Sequence, residues 1–303
     1  MNEHTLLEMM TGKLLGDGCI TKQNGRKPRF QFIHSSKDKE WCHFCYSQLN
    51  KYIPLTTPRY KKVLDDRVNK GYTECYQVQS KTDPIITQLE KAWYLDRRKI
   101  LPFELLEIYL TPLALAWWYQ DDGHLKRKGE TPEKIILSSE SFAPQENKNL
   151  QWLLKIKFLL QFSIDKQNRL VLYDQFQIHY FLNLISPFLH YSMNRKALKS
   201  CPTENRQIKS RRTSIYLPGE VQINKPTEDI NNALNSLEEY WTLYKSGQFY
   251  TPENIVLIQR LSVRTHTKSY QININQKNLR ILKLLRESTG INYSILTTLC
   301  FFK

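Results

Sequence analysis

The sequence predicts an α+β fold: two pseudo-symmetric αββαββα repeats with antiparallel sheets, then a small, mainly helical C-terminal domain. Three observations carry this. A helix-like segment, Thr5 to Leu15, runs into Gly16-Asp17-Gly18, and a second, Thr111 to Asp121, runs into Asp122-Gly123. The same order of hairpin, helix, hairpin and helix follows each, and the two aspartates, Asp17 and Asp122, set a repeat of 105 residues. Beyond residue 203 the pattern changes to helices around a single alternating strand.

In the first repeat (1–100), Asn24-Gly25 is a strong hairpin signal, because two-residue turns need positive φ; its return strand is Arg29 to His34. Trp41, Cys45 and Leu49 then recur at helical spacing from about Asp38. A second hairpin, Arg59 to Val63 and Tyr72 to Ser80, turns near Lys70-Gly71. Asp83-Pro84 starts a helix, since Asp suits the N-cap and Pro the first turn; it is expected to bury Ile85, Leu89 and Trp93. In the second repeat (101–203) a hairpin turns near Gly129 and returns through Lys134 to Ser138. Leu150, Leu153, Leu154 and Phe158 share a helix face. Strands Ser163–Lys166 and Arg169–Tyr173 turn at Asn168, and a helix covers Asp174 to Ile185.

The remainder reads as a basic, irregular linker (204–226), centred on Lys209 to Lys225, and a domain over 227–303. That domain begins with helices Glu228–Tyr244 and Thr251–Leu261. Tyr270 to Asn275 alternates with period 2 and reads as a strand; helices Gln276–Ser288 and Asn292–Phe301 flank Thr289-Gly290.

The chain has 303 residues, 41% of them hydrophobic, enough for a real core. No stretch reaches the ~18–20 apolar residues of a membrane span, and Met1 to Met10 lacks a signal-peptide pattern. The expectation is a protein of the cytoplasm or an organellar matrix with no membrane partner. The net charge is +15, distributed as +9 over residues 1–203 and +6 over 204–303. An excess spread along both parts favours a nucleic-acid partner over a charged tail. Cys42 and Cys45 form a C-x-x-C without the second ligand pair that zinc requires, so the six cysteines are expected to be reduced and mostly buried.

Gly12 and Gly16 lie on one helix face, where another helix can approach closely; Ala116 offers the small contact on the second helix. Asp17 and Asp122 would then meet at two helix C-termini, where the dipole is already negative. A divalent cation is the natural compensation, and lone carboxylates suit Mg²⁺. One Asp-Gly after a helix is an ordinary turn; two at equivalent places in a repeat point to chemistry.

Met10-Thr-Gly-Lys-Leu-Leu-Gly-Asp-Gly18 and Leu115-Ala-Trp-Trp-Tyr-Gln-Asp-Asp-Gly123 resemble the paired nonamers of double-motif, monomeric LAGLIDADG homing endonucleases. The context Leu110-Thr-Pro-Leu-Ala-Leu-Ala116 and the later Ile135 to Phe142 are also similar, and the likeness covers about residues 5 to 200. It implies saddle-shaped sheets and hydrolysis of one phosphodiester per strand of a long, asymmetric double-stranded DNA site. Asp17 and Asp122 would be the metal-binding acids, with Gly16 and Asp121 beside them. Mg²⁺ would be the cofactor, Mn²⁺ a substitute, and Ca²⁺ would support binding without cleavage. Lys99 and Lys196, in Arg98-Lys99-Ile-Leu and Arg195-Lys196-Ala-Leu, would polarise solvent or offset phosphate charge, although a lysine after a helix commonly only complements its dipole. His34 and Ser138, at the ends of matching strands, would position water. Lys13 and Trp117 depart from the family pattern at the helix interface.

Basic residues concentrate on the hairpins: Lys22, Arg26, Lys27 and Arg29 at the first turn, and Arg59, Lys61, Lys62, Arg67 and Lys70 at the second. Lys126, Arg127, Lys128, Lys166 and Arg169 repeat this in the other half, with Arg195 following. Strands of this width fit a major groove, with the turn lysines on phosphates. The C-terminal strand–helix–helix is similar to the ribbon-helix-helix fold, in which Gln271, Asn273 and Asn275 would face outward to read base edges. Such ribbons pair with a twin strand, so this module would dimerise or act as a monomeric accessory, while the nuclease core stays monomeric. Two alternatives use the same scaffold: an intron RNA maturase, and a non-catalytic transcriptional regulator. Neither requires both acids.

Overall fold

The computed structural model describes residues 3–198, 212–263 and 266–302. The first repeat is built from α1 (Glu3–Leu15), β1 (Cys19–Thr21), β2 (Arg29–Ser35), α2 (Lys39–Leu49), β3 (Arg59–Leu64), β4 (Tyr72–Gln79) and α3 (Pro84–Trp93). A short hairpin, β5 (Tyr94–Leu95) and β6 (Arg98–Lys99), and helix α4 (Phe103–Tyr109) lead to the second repeat. This comprises α5 (Pro112–Asp122), β7 (Gly123–Lys128), β8 (Thr131–Leu137), α6 (Pro144–Phe158), β9 (Ser163–Ile164), β10 (Leu170–Leu172) and α7 (Gln175–Ile185). Both repeats are αββαββα, and their antiparallel sheets have the same order, β1-β2-β4-β3 and β7-β8-β10-β9. Each of the four hairpin turns holds a residue at positive φ: Gly25, Gly71, Gly129 and Asn168.

The inward face of each sheet alternates with period 2. Phe30, Phe32 and His34 point inward from β2; Ile135, Leu137 and, just past the strand, Ser139 do so at β8. The helix signals act as expected at Asp83, whose side chain accepts from the Ile85 backbone N–H, and at Thr111, which accepts from Ala114. In α3 the buried set is Ile86, Leu89 and Trp93; Ile86 replaces Ile85 because the inward stripe steps by three and four residues.

The close approach of α1 and α5 is the main contact between the repeats. A β-carbon at Gly12 would lie 2.5 Å from the Ala114 carbonyl oxygen and 2.6 Å from Trp117 Cβ; one at Gly16 would lie 2.6 Å from Asp121 Cβ. Ala114, not Ala116, thus meets the glycine. Trp117 does not hinder the approach, because its ring turns edge-on to Trp41 at 5.4 Å.

Contacts divide the chain into two compact units: Met1–Ile156, Gln161–Tyr173 and Phe181–Leu198 in the first; Lys157–Leu160, Asp174–Tyr180 and Lys199–Lys303 in the second. The second unit adds β11 (Arg212–Pro218), α8 (Pro226–Ala233), α9 (Leu237–Lys245), α10 (Pro252–Ser262), β12 (Thr267–Asn273), α11 (Gln276–Thr289) and α12 (Tyr293–Phe301). Three expectations change here. The stretch read as an irregular linker contains a strand, β11, whose Ile215 and Leu217 are buried; residues 204–211 lie outside the described residues. The helix expected over 228–244 is split by a 3-10 turn at Leu234–Ser236. β12 ends at Asn273, and Asn275 caps α11 by accepting from the Asn278 N–H, so it is not an outward strand residue. β12 also finds its antiparallel partner in β11 of the same chain, pairing Arg212 with Asn273 and Ser214 with Gln271. A twin strand is not needed to complete the ribbon.

Gly12→Val is expected to destabilise the protein by roughly 1–3 kcal/mol through overpacking against backbone. A urea midpoint equal to that of the unaltered protein would contradict the close α1–α5 contact.

Candidate metal and nuclease centre

The two acids stand where the chain leaves the paired helices: Asp17 two residues beyond α1, and Asp122 as the last residue of α5. Both sit at negative helix ends. Two lysines answer this. Lys99 Nζ donates to the Leu14 and Gly18 carbonyls, each at 2.8 Å. Lys196 Nζ donates to the carbonyls of Tyr119 (3.1 Å), Gln120 (2.7 Å) and Asp121 (3.3 Å). Each lysine closes the helix of its own repeat. Lys99 reaches its place on the β5–β6 hairpin, whose turn residues Asp96 and Arg97 both have positive φ, 49° and 64°. Lys196 ends a 3-10 segment, Tyr191–Lys196. Burial lowers the pKa of both lysines, that of Lys196 to about 8.

Asp17 and Asp122 differ in their surroundings. Asp17 Oδ2 lies 3.0 Å from His34 Nδ1, and its side chain is 31% exposed. Burial disfavours its charge, but the His34 hydrogen bond and the Lys13 and Lys196 ammoniums outweigh this and hold its pKa below the usual value. Asp122 goes the other way: burial, then the charges of Asp17 and Asp121, raise its pKa to about 7 against the pull of Lys196. Its charge is thus disfavoured chiefly by burial, and an oxygen-ligated cation beside it would relieve that cost.

Asp17, His34 and Asp121 present ligand atoms within 4.8 Å of one another, a possible acidic metal site. The Asp121 carboxylate, however, is fully buried and already engaged. Its Oδ1 accepts from Lys13 Nζ (3.0 Å) and Trp41 Nε1 (2.8 Å), and its Oδ2 lies 2.9 Å from Lys13 Nζ and accepts from the Asp17 backbone N–H at 3.3 Å. The half-exposed Asp17 is the approachable oxygen source of the three. Gly16 offers only backbone, and its missing Cβ makes room for Asp121.

Ser138 is half-buried and its backbone N–H donates to the Asp122 carbonyl at 3.4 Å. The residue 105 positions after His34 is Ser139, which points inward like His34 and donates its hydroxyl to the Asn168 carbonyl. The alternation of β8 could have identified Ser139. In the sequence Lys13 stands out only as an irregularity of the motif; its partners lie 21 and 108 positions away and leave no local signal. Cys42 and Cys45 are buried free thiols on α2, with burial raising the Cys42 thiol to about 12, and among the described residues no ligand pair stands beside them; Cys201 lies outside the described residues.

The basic hairpin residues divide into two groups. Arg26, Lys27, Arg29, Arg59, Lys61, Lys70, Lys126, Lys128 and Lys166 are exposed with no carboxylate partner among the described residues, and exposed Lys62 lies over the Tyr72 ring. Lys22, Arg67, Arg169 and Arg195 instead pair with Glu90 (3.2 Å), Asp65 (2.8 Å), Asp165 (2.7 Å) and Asp38 (2.8 Å), and Arg127 donates to the carbonyls of Glu130 and Ala197. The outward face of the first sheet also carries an amide cluster. Gln31 Oε1 accepts from Gln77 (3.2 Å) and Gln79 (3.3 Å). These residues occupy the outward positions of β2 and β4, which period 2 alone would have marked. Gln271 and Asn273 are exposed on β12, as expected.

The profile of the LAGLIDADG DNA endonuclease family matches residues 7–179. The chain is 26% identical over 198 residues to the cytochrome b mRNA maturase bI2 of Debaryomyces hansenii, covering 63% of this chain and 72% of that protein. It is 28% identical over 168 residues to the DNA endonuclease I-ChuI of Chlamydomonas applanata, covering 53% and 76%. Its fold matches that of the homing endonuclease I-WcaI bound to its DNA recognition sequence, with a TM-score of 0.58 at 22% identity, over 65% of this chain and 87% of that one. No helix among the described residues is long and apolar enough to cross a membrane.

An acid whose folded pKa lies above its unfolded value binds its proton more tightly when folded. The stabilisation from Asp122 is therefore present at low pH and lost as pH rises from about 3.8 through about 7. Without divalent metal, Asp122→Asn is expected to raise Tm at pH 8 by about 2–4 °C, the shift that roughly 1 kcal/mol gives in a domain of this size. The gain should be absent at pH 4; equal shifts at both pH values would contradict the assigned environment.

Proposed function

The chain belongs to the LAGLIDADG DNA endonuclease family, and from that premise we propose that it is a site-specific homing endonuclease making a Mg²⁺-dependent double-strand break in a long, asymmetric DNA target. The observation that carries this reading is the pair of acids, Asp17 and Asp122, at adjacent ends of α1 and α5, each beside a lysine that closes its helix.

Asp17 and Asp122 would each hold a divalent ion, and hard carboxylate oxygens suit Mg²⁺, with Mn²⁺ able to substitute and Ca²⁺ supporting binding only. Such an ion supplies Lewis-acid stabilisation of charge in an in-line displacement at phosphorus. The chain's own groups prepare the site. His34 donates to Asp17 and fixes one carboxylate oxygen, leaving the other toward the ligand. Lys196 gives its N–H groups to three carbonyls, which requires a charged ammonium, so its role is to offset phosphate charge and not to accept a proton. Lys99, with two carbonyl partners, keeps one N–H for a phosphate oxygen.

DNA would lie along the outward sheet faces. The exposed lysines and arginines of the hairpins hold phosphates and fix register, while Gln31, Gln77 and Gln79 present amides that match the donor–acceptor pattern of adenine. The second sheet has no matching amide cluster, since β10 is apolar throughout, which supports an asymmetric site. Gln271 and Asn273, exposed on the ribbon of the second unit, would make base contacts of their own. A second reading, an intron RNA splicing cofactor, is favoured by the likeness to a cytochrome b mRNA maturase.

Cleavage of a randomised DNA library with Mg²⁺ tests the nuclease. The unaltered protein is expected to leave defined double-strand breaks, and Asp17→Ala or Asp122→Ala to leave nicks or none. Tight DNA binding with no cutting by the unaltered protein would instead favour the RNA cofactor. For the ribbon, Gln271→Ala with Asn273→Ala is expected to weaken binding of the selected site about tenfold, consistent with the ~1–3 kcal/mol of one good base contact; unchanged affinity would remove the ribbon from the interface.

A further inference from the structure

Lys13 is a charged side chain with no solvent exposure, and nothing in the proposed cleavage chemistry uses it directly. Its Nζ lies 2.8 Å from His34 Nε2 and 3.0 and 2.9 Å from the two Asp121 oxygens, with the Phe32 ring centroid at 4.3 Å. A buried ammonium this well surrounded is stable only because a carboxylate and a ring nitrogen accept from it.

The consequence for His34 is specific. An ammonium has only donors, so His34 Nε2 must accept and the ring proton must sit on Nδ1. That nitrogen lies 3.0 Å from Asp17 Oδ2, to which it therefore donates. A continuous chain runs from Asp121 of the second motif, through Lys13 and His34, to Asp17 of the first. The other repeat has no such chain. The residues 105 positions after Lys13 and His34 are Trp118 and Ser139, and the counterpart of Asp121 is Gly16.

We propose that Lys13 is a positioning residue for one acid alone: it holds His34 in the tautomer that orients Asp17, and so governs cleavage of the strand Asp17 serves while leaving the Asp122 strand untouched. The proposal rests on the nuclease reading. Partners that orient a ligand in this way typically carry about 10–100-fold of affinity or activity.

The test uses the full chain and a duplex of its selected site labelled on both strands. Lys13→Met alone leaves Asp121 buried without its cation and can unfold, so Lys13→Met with Asp121→Asn is made beside it, folding being checked by circular dichroism. The double variant is expected to slow one strand roughly 10–100-fold more than the other in single turnover. The slowed strand should be the one that Asp17→Ala abolishes, so nicked product accumulates. In ¹⁵N-histidine spectra, His34 of the unaltered protein should carry its proton on Nδ1, and the double variant should lose that preference. Equal slowing of both strands, no slowing, or an Nε2–H tautomer in the unaltered protein would overturn the proposal. If the unaltered protein cuts neither strand, the nuclease reading fails instead, and the tautomer still decides whether Lys13 positions Asp17.

Discussion

The close packing of α1 on α5 is the contact on which the site depends. It is set by two missing side chains: Gly12 admits the Ala114 carbonyl and Gly16 admits Asp121. Bringing the helices this close also brings together their C-terminal ends and the acids that follow, which is electrostatically unfavourable. Much of what surrounds the centre answers that one problem. Lys99 and Lys196 each bind carbonyls at and around a helix end, Lys13 neutralises Asp121 inside the interface, and His34 holds Asp17.

The answer is incomplete by design of the residues present. Asp17 has a hydrogen-bond donor and its charge is favoured; Asp122 has none of comparable strength and its charge is resisted. The repeats therefore share a backbone plan but not an electrostatic one. A duplicated chain is free to diverge in this way, because each half keeps its fold through its own sheet and helices while the shared interface accepts unlike residues. Lys13 opposite Asp121 is such a pair, one from each motif, and it has no counterpart in the reverse direction.

The outward sheet faces differ as well. The first presents Gln31, Gln77 and Gln79 between arginines and lysines, whereas Leu170, Val171 and Leu172 of the second are all buried. Of the basic residues on the hairpins, Arg67 and Arg169 hold turns together through Asp65 and Asp165, and those without acid partners among the described residues supply the field that attracts a polyanion. In the second unit, β12 finds its antiparallel partner in β11 of the same chain.

The amino-acid sequence alone carries the repeat, the order of elements in both halves, and the placement of Asp17 and Asp122 at helix ends. These rest on local rules: hydrophobic period, turn residues with positive φ, and caps such as Asp83 and Thr111. It also marked the outward positions of β2, where Gln31 could have been found. Which groups meet across the interface is settled by packing in three dimensions. That Lys13 lies against Asp121 and His34, that Ser139 and not Ser138 matches His34, and that β11 rather than a twin pairs with β12 all depend on contacts between residues far apart in the chain. Hydrogen bonds and ion pairs act over a few ångströms in space, and no spacing along the sequence encodes them.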